Sequence, residues 1–334
     1  MGKKRILVAI LASFGMLALI LDGKTAVSSM QDGIKICLQT VVPALFPFFL
    51  LSPILTGTLW GTNSKLFKRI GKLCKLSAGS ESLLLIGFLS GYPVGAQLVT
   101  QAYQDRKLSA HSARRMLGFC SNAGPAFIFG MLSSLFSRAI IPWVLWLVQM
   151  ASSISVGILL PDHGKENEGM IKPNGFVAFS EILKNAIKTM ATVCGWVLIF
   201  RVIIGFCERW FLWILPLEIR VLFSGIMELA NGCVALTLLS NEYLRFIFSS
   251  VFLSFGGMCV AMQTASVTKG LGFGMYFPGK LLQAMFSFMI SCLLCPVLFP
   301  QDKFYLLPFA VPSLLLGIGI LIIRQTQRKK SCSI

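Results

Sequence analysis

Long apolar stretches recur along the chain at 6–22, 34–58, 116–160, 183–206, 245–267, 281–299 and 304–323, with short polar segments between them. A helix needs about 20 predominantly apolar residues to cross a bilayer, so this pattern predicts repeated membrane-spanning helices. Glycine and proline interrupt the apolar pattern at two places, SGYPVGAQ at 90–97 and CSNAGP at 120–125. Pro93 and Pro125 remove amide donors and crowd the preceding turn, while Gly91, Gly95 and Gly124 tolerate backbone angles that other residues do not, so helices are expected to break there.

Composition agrees with a lipid environment. The 334 residues are 55% hydrophobic and 13% charged, with a mean hydropathy of +0.78, well outside the balance of a water-soluble domain. The net charge of +17 is carried by short clusters between apolar segments and not by one face, which argues against a nucleic-acid partner. These clusters orient the chain instead. Lys3, Lys4 and Arg5 precede the first stretch, Lys65, Lys68, Arg69, Lys72 and Lys75 crowd one loop, Arg106, Lys107, Arg114 and Arg115 crowd the next, and Arg324, Arg328, Lys329 and Lys330 close the chain. Cytoplasmic loops are rich in Lys and Arg. Counting every apolar segment as a full crossing gives ten, but places the Arg106–Arg115 cluster on the wrong side. If 82–103 and 222–241 each dip in and return, all four clusters and both termini become cytoplasmic. The expected fold is therefore an all-α polytopic membrane protein with about eight spanning helices and two re-entrant hairpins.

The chain also repeats itself. GIKICLQTVVPALFPFFLLSPIL from Gly33 pairs with LKNAIKTMATVCGWVLIFRVIIG from Leu183, GFLSGYPVGAQL from Gly87 with GIMELANGCVAL from Gly225, and FCSNAGPAFIFG from Phe119 with FLSFGGMCVAMQ from Phe252. Three pairings in one order predict two repeats at 33–160 and 182–300, joined by a polar linker at 161–181. An N-terminal transmembrane helix precedes them at 1–32, and a C-terminal helix with a basic tail follows at 301–334. The first unit begins outside and the second inside, so the repeats are inverted, an arrangement by which many secondary transporters build a midplane site from broken helices.

Freed backbone groups at membrane depth must be satisfied by protein, water or ligand. The candidate solute-binding residues are accordingly those of the breaks: Gly91, Tyr92, Pro93, Gly95 and Gln97 in the first, and Ser121, Asn122 and Gly124 in the second. Their counterparts in the other repeat are Glu228, Asn231 and Gly232, with Gln263 and Thr264 beyond the 254–258 break. Asn can donate and accept, which suits either a polar solute or a tie between helices. A carboxylate at helix centre costs about 2.5 to 3.5 kcal/mol on insertion scales, so Glu228 is expected to be protonated, paired or cavity-lining, with Arg201 as its candidate partner. A plain packing kink is the alternative reading of each break.

Other chemistry is thin. The ten cysteines sit among apolar neighbours and read as packing residues, the Cys292/Cys295 pair included. His111 and His163 both fall in polar loops, so no metal site and no cofactor is expected. Ser90, Ser121 and Cys120 lack a membrane-embedded His or Asp partner, which argues against an enzyme. The N-terminal apolar run is read as an uncleaved span, because DGKTAVSSM offers no convincing cleavage site. No phosphate-binding loop of the G-x-x-x-x-G-K-[ST] type is present, so active transport would need an ion gradient or a separate ATPase.

The motifs P-A-L-F-P-F at 43–48, S-G-Y-P-V-G-A at 90–96 and S-N-A-G-P-A-F-I-F-G at 121–130 resemble the YlbJ family of sporulation integral membrane proteins. The second half departs further from that pattern at 252–264. The resemblance implies Gate or nucleoside-recognition domains, an endospore-forming bacterium, the bacterial cell membrane or the developing spore's membrane, and a part in cortex formation. The expected function is permease-like binding or transport of a small polar solute. The alternative is a non-transporting scaffold for other sporulation membrane proteins; the expected partners are the lipid bilayer, the small polar solute, and other sporulation membrane proteins or further copies of the chain.

Overall fold

The structure, a computed structural model, describes residues 3–59, 65–77, 79–160, 178–268 and 270–301. The polar linker at 161–175, the expected last span at 304–323 and the basic tail lie outside the described residues. Those described are helical, with no strand among them.

α1 (Lys3–Leu21) ends at Asp22, whose carboxylate accepts from Thr25 N and caps α2 (Gly23–Ile36). α2 runs through one wide π turn, Cys37–Val41, into α3 (Val42–Leu59). Pro43 lacks a donor and its ring crowds the carbonyl four residues back, in the turn that widens. The first repeat was expected to open at 33, yet that position lies inside this long helix. Gly33 is where the helix crosses α10 (Phe179–Trp210): a Cβ there would lie 2.9 Å from Leu198 and 3.3 Å from Arg201.

After the short α4 (Lys65–Leu73), α5 (Glu81–Ser90) and α6 (Val94–Gln104) fold back on each other. Gly91 turns the chain at φ +84°, and a Cβ on Gly87 would lie 3.7 Å from Gly95 Cα. Next comes α7 (Ala110–Met116), an unwound stretch to Gly124, then α8 (Pro125–Phe127) continuing to Leu135, and α9 (Ile141–Leu159). Beyond the linker the same order follows α10. A hairpin of α11 (Leu217–Met227) and α12 (Leu229–Ala235) is followed by α13 (Glu242–Phe255), a break, α14 (Gly257–Val267) and α15 (Tyr276–Leu298). A Cβ on Gly232 would collide with Gly225 Cα, so this hairpin too closes on glycine.

Polar anchors define two ends of the bundle. At one, Arg115 Nη2 donates to Cys74 O (2.6 Å) and Gly157 O (2.5 Å), its Nε donates to Leu160 O (3.2 Å), and Arg114 Nε donates to Leu271 O (2.9 Å). At the other, Ser137 N donates to Glu242 Oε1 (2.8 Å), Arg138 to Leu298 O (2.6 Å), and Arg245 to Leu135 O (3.0 Å) and Leu239 O (2.7 Å). Cys74, before the first hairpin, and Arg115, after it, therefore share one end. The α5–α6 hairpin enters from the Arg115 end and returns to it, whereas α11–α12 enters from the Glu242 end.

Among the described residues, five helical stretches are long and apolar enough to cross a membrane by length and composition: Gly23–Leu55, Ile141–Leu159, Phe179–Trp210, Glu242–Val267 and Tyr276–Leu298. Their outward sides carry Leu147, Ile187 and Val297, each more than half exposed, as a lipid-facing surface requires.

Candidate solute site

The breaks are drawn together by glycine. A Cβ on Gly91 would lie 3.0 Å from Gly124 N, and one on Gly124 would lie 3.0 Å from Gly91 N, so the two interruptions of the first half touch backbone to backbone. In the second half, Gly256 (φ +82°) and Gly257 (φ +81°) make the break between α13 and α14. A Cβ on Gly257 would crowd Gly225 O, Ile226 O and Met227 O at 3.2 to 3.3 Å, just before the hairpin turn at Glu228.

Tyr92 joins the halves. Its ring lies against Gly256, where a Cβ would be 3.1 Å from Cζ, and its Oη donates to Leu253 O at 3.0 Å. The same oxygen accepts from Lys280 Nζ at 3.0 Å, and that nitrogen lies 4.9 Å from the centre of the Tyr92 ring. Lys280 is 1% exposed. It also donates to Gln283 Oε1 (2.7 Å) and Asn122 Oδ1 (3.4 Å), while Gln283 Nε2 donates to Asn122 Oδ1 (2.7 Å) and Gln149 O (3.3 Å). Asn122 in turn donates to Phe119 O (2.8 Å), and Gln149 to Ala123 O (3.0 Å), which ties the unwound stretch to α9 and α15. The three acceptors around Lys280 are neutral. The ion pairs found among the described residues, Lys107–Asp105, Arg201–Asp32 and Arg201–Glu208, do not include it.

Lys280 and Gln283 were not among the expected site residues. The apolar run was taken to open at 281, which leaves Lys280 in a loop. The helix begins five residues earlier, at Tyr276, because Gly279 lets α15 press onto Gly118, where a Cβ would collide with Gly118 O. A lysine followed three positions later by glutamine, on one helical face, was the available signal.

Glu228 is 2% exposed and caps α12. Its Oε1 accepts from Ala230 N (3.0 Å), and its Oε2 accepts from Asn231 N (2.6 Å) and Asn231 Nδ2 (2.6 Å). The expected pairing with Arg201 is not found. Arg201 binds Asp32 at 3.1 Å and Glu208 at 3.2 Å, because both lie on its own side of the α2–α10 contact.

A cavity of about 30 Å³, room for about two waters, lies where the halves meet. Its lining includes Tyr92, Gly124, Glu228, Ala230 and Gln263. A larger cavity, about 430 Å³, borders the same helices: Thr40 and Pro43, Ala126 and Ser134, Cys233 and Thr237. Of the expected residues, Gly91, Tyr92, Asn122, Gly124, Glu228, Asn231 and Gln263 thus belong to one region. Pro93 sits at the start of α6, and Thr264 is buried next to Gln263. Gly95 and Gly232 serve close packing, against Cys120 O and Gly225 respectively. Gln97 is exposed on α6 and belongs to no such contact. Ser90, Ser121 and Ser254, one beside each of three breaks, bury hydroxyls that have no hydrogen-bond partner in the protein.

The chain is similar to the sporulation integral membrane protein YlbJ of Bacillus subtilis (strain 168), with 22% identity over 345 aligned residues that cover 88% of this chain and 84% of that one. This agrees with the family resemblance carried by the PALFPF, SGYPVGA and SNAGPAFIFG motifs. No protein-family model matches the chain. No solved structure matches it.

Proposed function

We propose that this integral membrane protein binds a small polar solute between its two broken halves and carries it across the membrane by alternating access. The observation that carries this reading is the meeting of four backbone breaks around a small cavity in whose mostly apolar wall Tyr92, Glu228 and Gln263 are set, with Lys280 directly behind Tyr92. A structure built only to pack has little reason to bury a lysine amine among neutral oxygens, because carrying a charge there without a partner costs several kcal/mol. A solute bearing a carboxylate or phosphate offsets that cost, so the site favours an anion. Glu228 is the candidate proton or cation site that would couple the movement. Polar hydroxyls at Ser90, Ser121 and Ser254 offer further hydrogen bonds once the halves separate.

The same reading includes a Gate-type pair of inverted repeats, supported by the recurring order of long helix, hairpin, broken helix and closing helix and by the opposite entry of the two hairpins. It also includes a membrane of the developing spore and a part in cortex formation, supported by the similarity to a sporulation membrane protein. The basic Arg115 end would face the cytoplasm.

Purified protein in a thermal-shift screen against small organic acids and phosphates, with neutral analogues of equal size, tests the proposal. Stabilisation by the anions alone, together with their uptake into proteoliposomes, is the expected result. If no anion shifts the melt and none is taken up, the scaffold reading replaces it.

A further inference from the structure

The two cavities lie at different depths. The larger reaches from Ala126 and Cys233, beside the breaks, to Ser134 and Thr237 near the Glu242 end, and Gly130, Ser134, Val234 and Thr237 on its wall are exposed. The smaller shares no lining residue with the larger, but its Val41 and Leu45 alternate in sequence with Thr40, Pro43 and Ala44 of the larger, and Tyr92 stands on its wall. Behind Tyr92 come Lys280 and Asn122, and beyond them the chain is close-packed. Cβ atoms on Gly87 or Gly95 would collide with Cys120 O, and one on Gly118 would lie 2.8 Å from Met275 O. Open space therefore lies on the Glu242 side of Tyr92 and close packing on the Arg115 side, and the side chain at the boundary belongs to one half while its main partners belong to the other.

We propose that Tyr92 is the latch that shuts the path toward the Arg115 end, and that the structure is the conformation open toward the Glu242 end. The latch has three fastenings: the Oη donation to Leu253 O, the acceptance from Lys280 Nζ, and the ring seated on Gly256. All three cross between the halves. Sliding the halves apart must break them together, and doing so would uncover Lys280 to whatever occupies the cavity. The Tyr92 hydroxyl is thus a conformational element of the transport cycle, and this role rests on the transport reading for its purpose.

The test uses no solute. Native Cys120, fully buried beside Gly95, reports the Arg115 side, and A126C reports the cavity open to the other side. A membrane-impermeant methanethiosulfonate is applied to each face of sided vesicles, and the modified peptides are quantified by mass spectrometry. With Tyr92 intact, A126C is modified from the Glu242 face and Cys120 is slow from both. Y92F keeps the ring and removes both hydroxyl bonds, so Cys120 modification from the Arg115 face is expected to rise by at least about tenfold, the factor given by losing two ordinary hydrogen bonds. K280M loosens the same contact from the other side, shifts the result in the same direction, and carries the test if Y92F does not fold. Rapid modification of Cys120 from the Arg115 face with Tyr92 intact, or no change in the folded variants, overturns the latch. Absence of uptake by the unsubstituted protein in the separate proteoliposome assay, with the labelling shift still seen in Y92F, overturns transport and leaves the latch standing.

Discussion

Lys280 Nζ and Tyr92 Oη lie 3.0 Å apart although 188 residues separate them in sequence. This contact links the tip of the first hairpin to α15, and it sets a lysine amine where the surrounding acceptors carry no charge. Replacing a buried ionic group by an apolar one of similar length is often neutral or stabilising, because the desolvation penalty disappears. K280M has that gain but leaves Gln283 Oε1 without its donor, so the melting temperature is expected to change little, while anion binding weakens at least about tenfold, since charge-assisted hydrogen bonds contribute about 1.5 to 3 kcal/mol each. Melting curves with and without the anion separate the two effects. An anion-induced shift that survives in K280M would remove Lys280 from the site.

Glu228 makes its own contrast, because one carboxylate satisfies three donors at the start of α12. E228A leaves those donors without a partner, at about 1 to 3 kcal/mol for each buried group left unsatisfied, and is expected to lower the yield of folded protein sharply. E228Q retains one acceptor oxygen and is expected to cost about 1 to 2 kcal/mol, within the range of a lost helix cap. Folded E228Q should bind solute yet lose the dependence of uptake on a proton gradient. Proteoliposomes with an imposed pH difference measure this, and gradient-driven uptake at the original rate in E228Q would exclude Glu228 as the coupling site.

The glycines divide by what surrounds them. G95A and G232A would drive a methyl group into Cys120 O and Gly225 Cα, backbone atoms that cannot step aside, and overpacking of this kind costs about 1 to 3 kcal/mol or more. Gly195, within α10, has nothing within 4 Å of the added carbon, so G195A should stabilise by up to about 1 kcal/mol through helix propensity. Thermal melts in one detergent compare the three. Equal tolerance of G95A and G195A would mean that the first hairpin is not closed as described.

Much of this arrangement was legible because the determinants are local. Gly91 and Pro93 interrupt a regular helix, and the Arg106–Arg115 cluster leads to the expectation of a segment that folds back before it. The structure places the hairpins at 81–104 and 217–238, close to the expected 82–103 and 222–241. What escaped depended on contacts remote in sequence. Lys280 stood at the edge of an apolar run, and only the approach of Gly279 to Gly118 draws it into the interior. Arg201 suggested a partner for Glu228 because both interrupt apolar segments, yet sequence carries no depth coordinate, and Asp32 and Glu208 lie nearer. Gln97 shared a motif with Tyr92 but falls on the exposed side of α6, as a helix restarting at Val94 dictates.

The hairpin geometry makes a topological prediction that needs no functional assay. Cys74 and Arg115 meet through a 2.6 Å hydrogen bond, so the segments flanking α5–α6 emerge at one end, while Glu242 and Ser137 mark the other. Single cysteines at Lys72 and Gln104 should therefore react with an impermeant thiol reagent from the same face of the membrane, and one at Ser240 from the opposite face. All three positions are exposed, so a lack of labelling would not be expected from burial. A full crossing at 81–104 would instead put Lys72 and Gln104 on opposite faces. That outcome would separate Cys74 from Arg115, remove the contact between Gly91 and Gly124, and leave Tyr92 with no second half to close against.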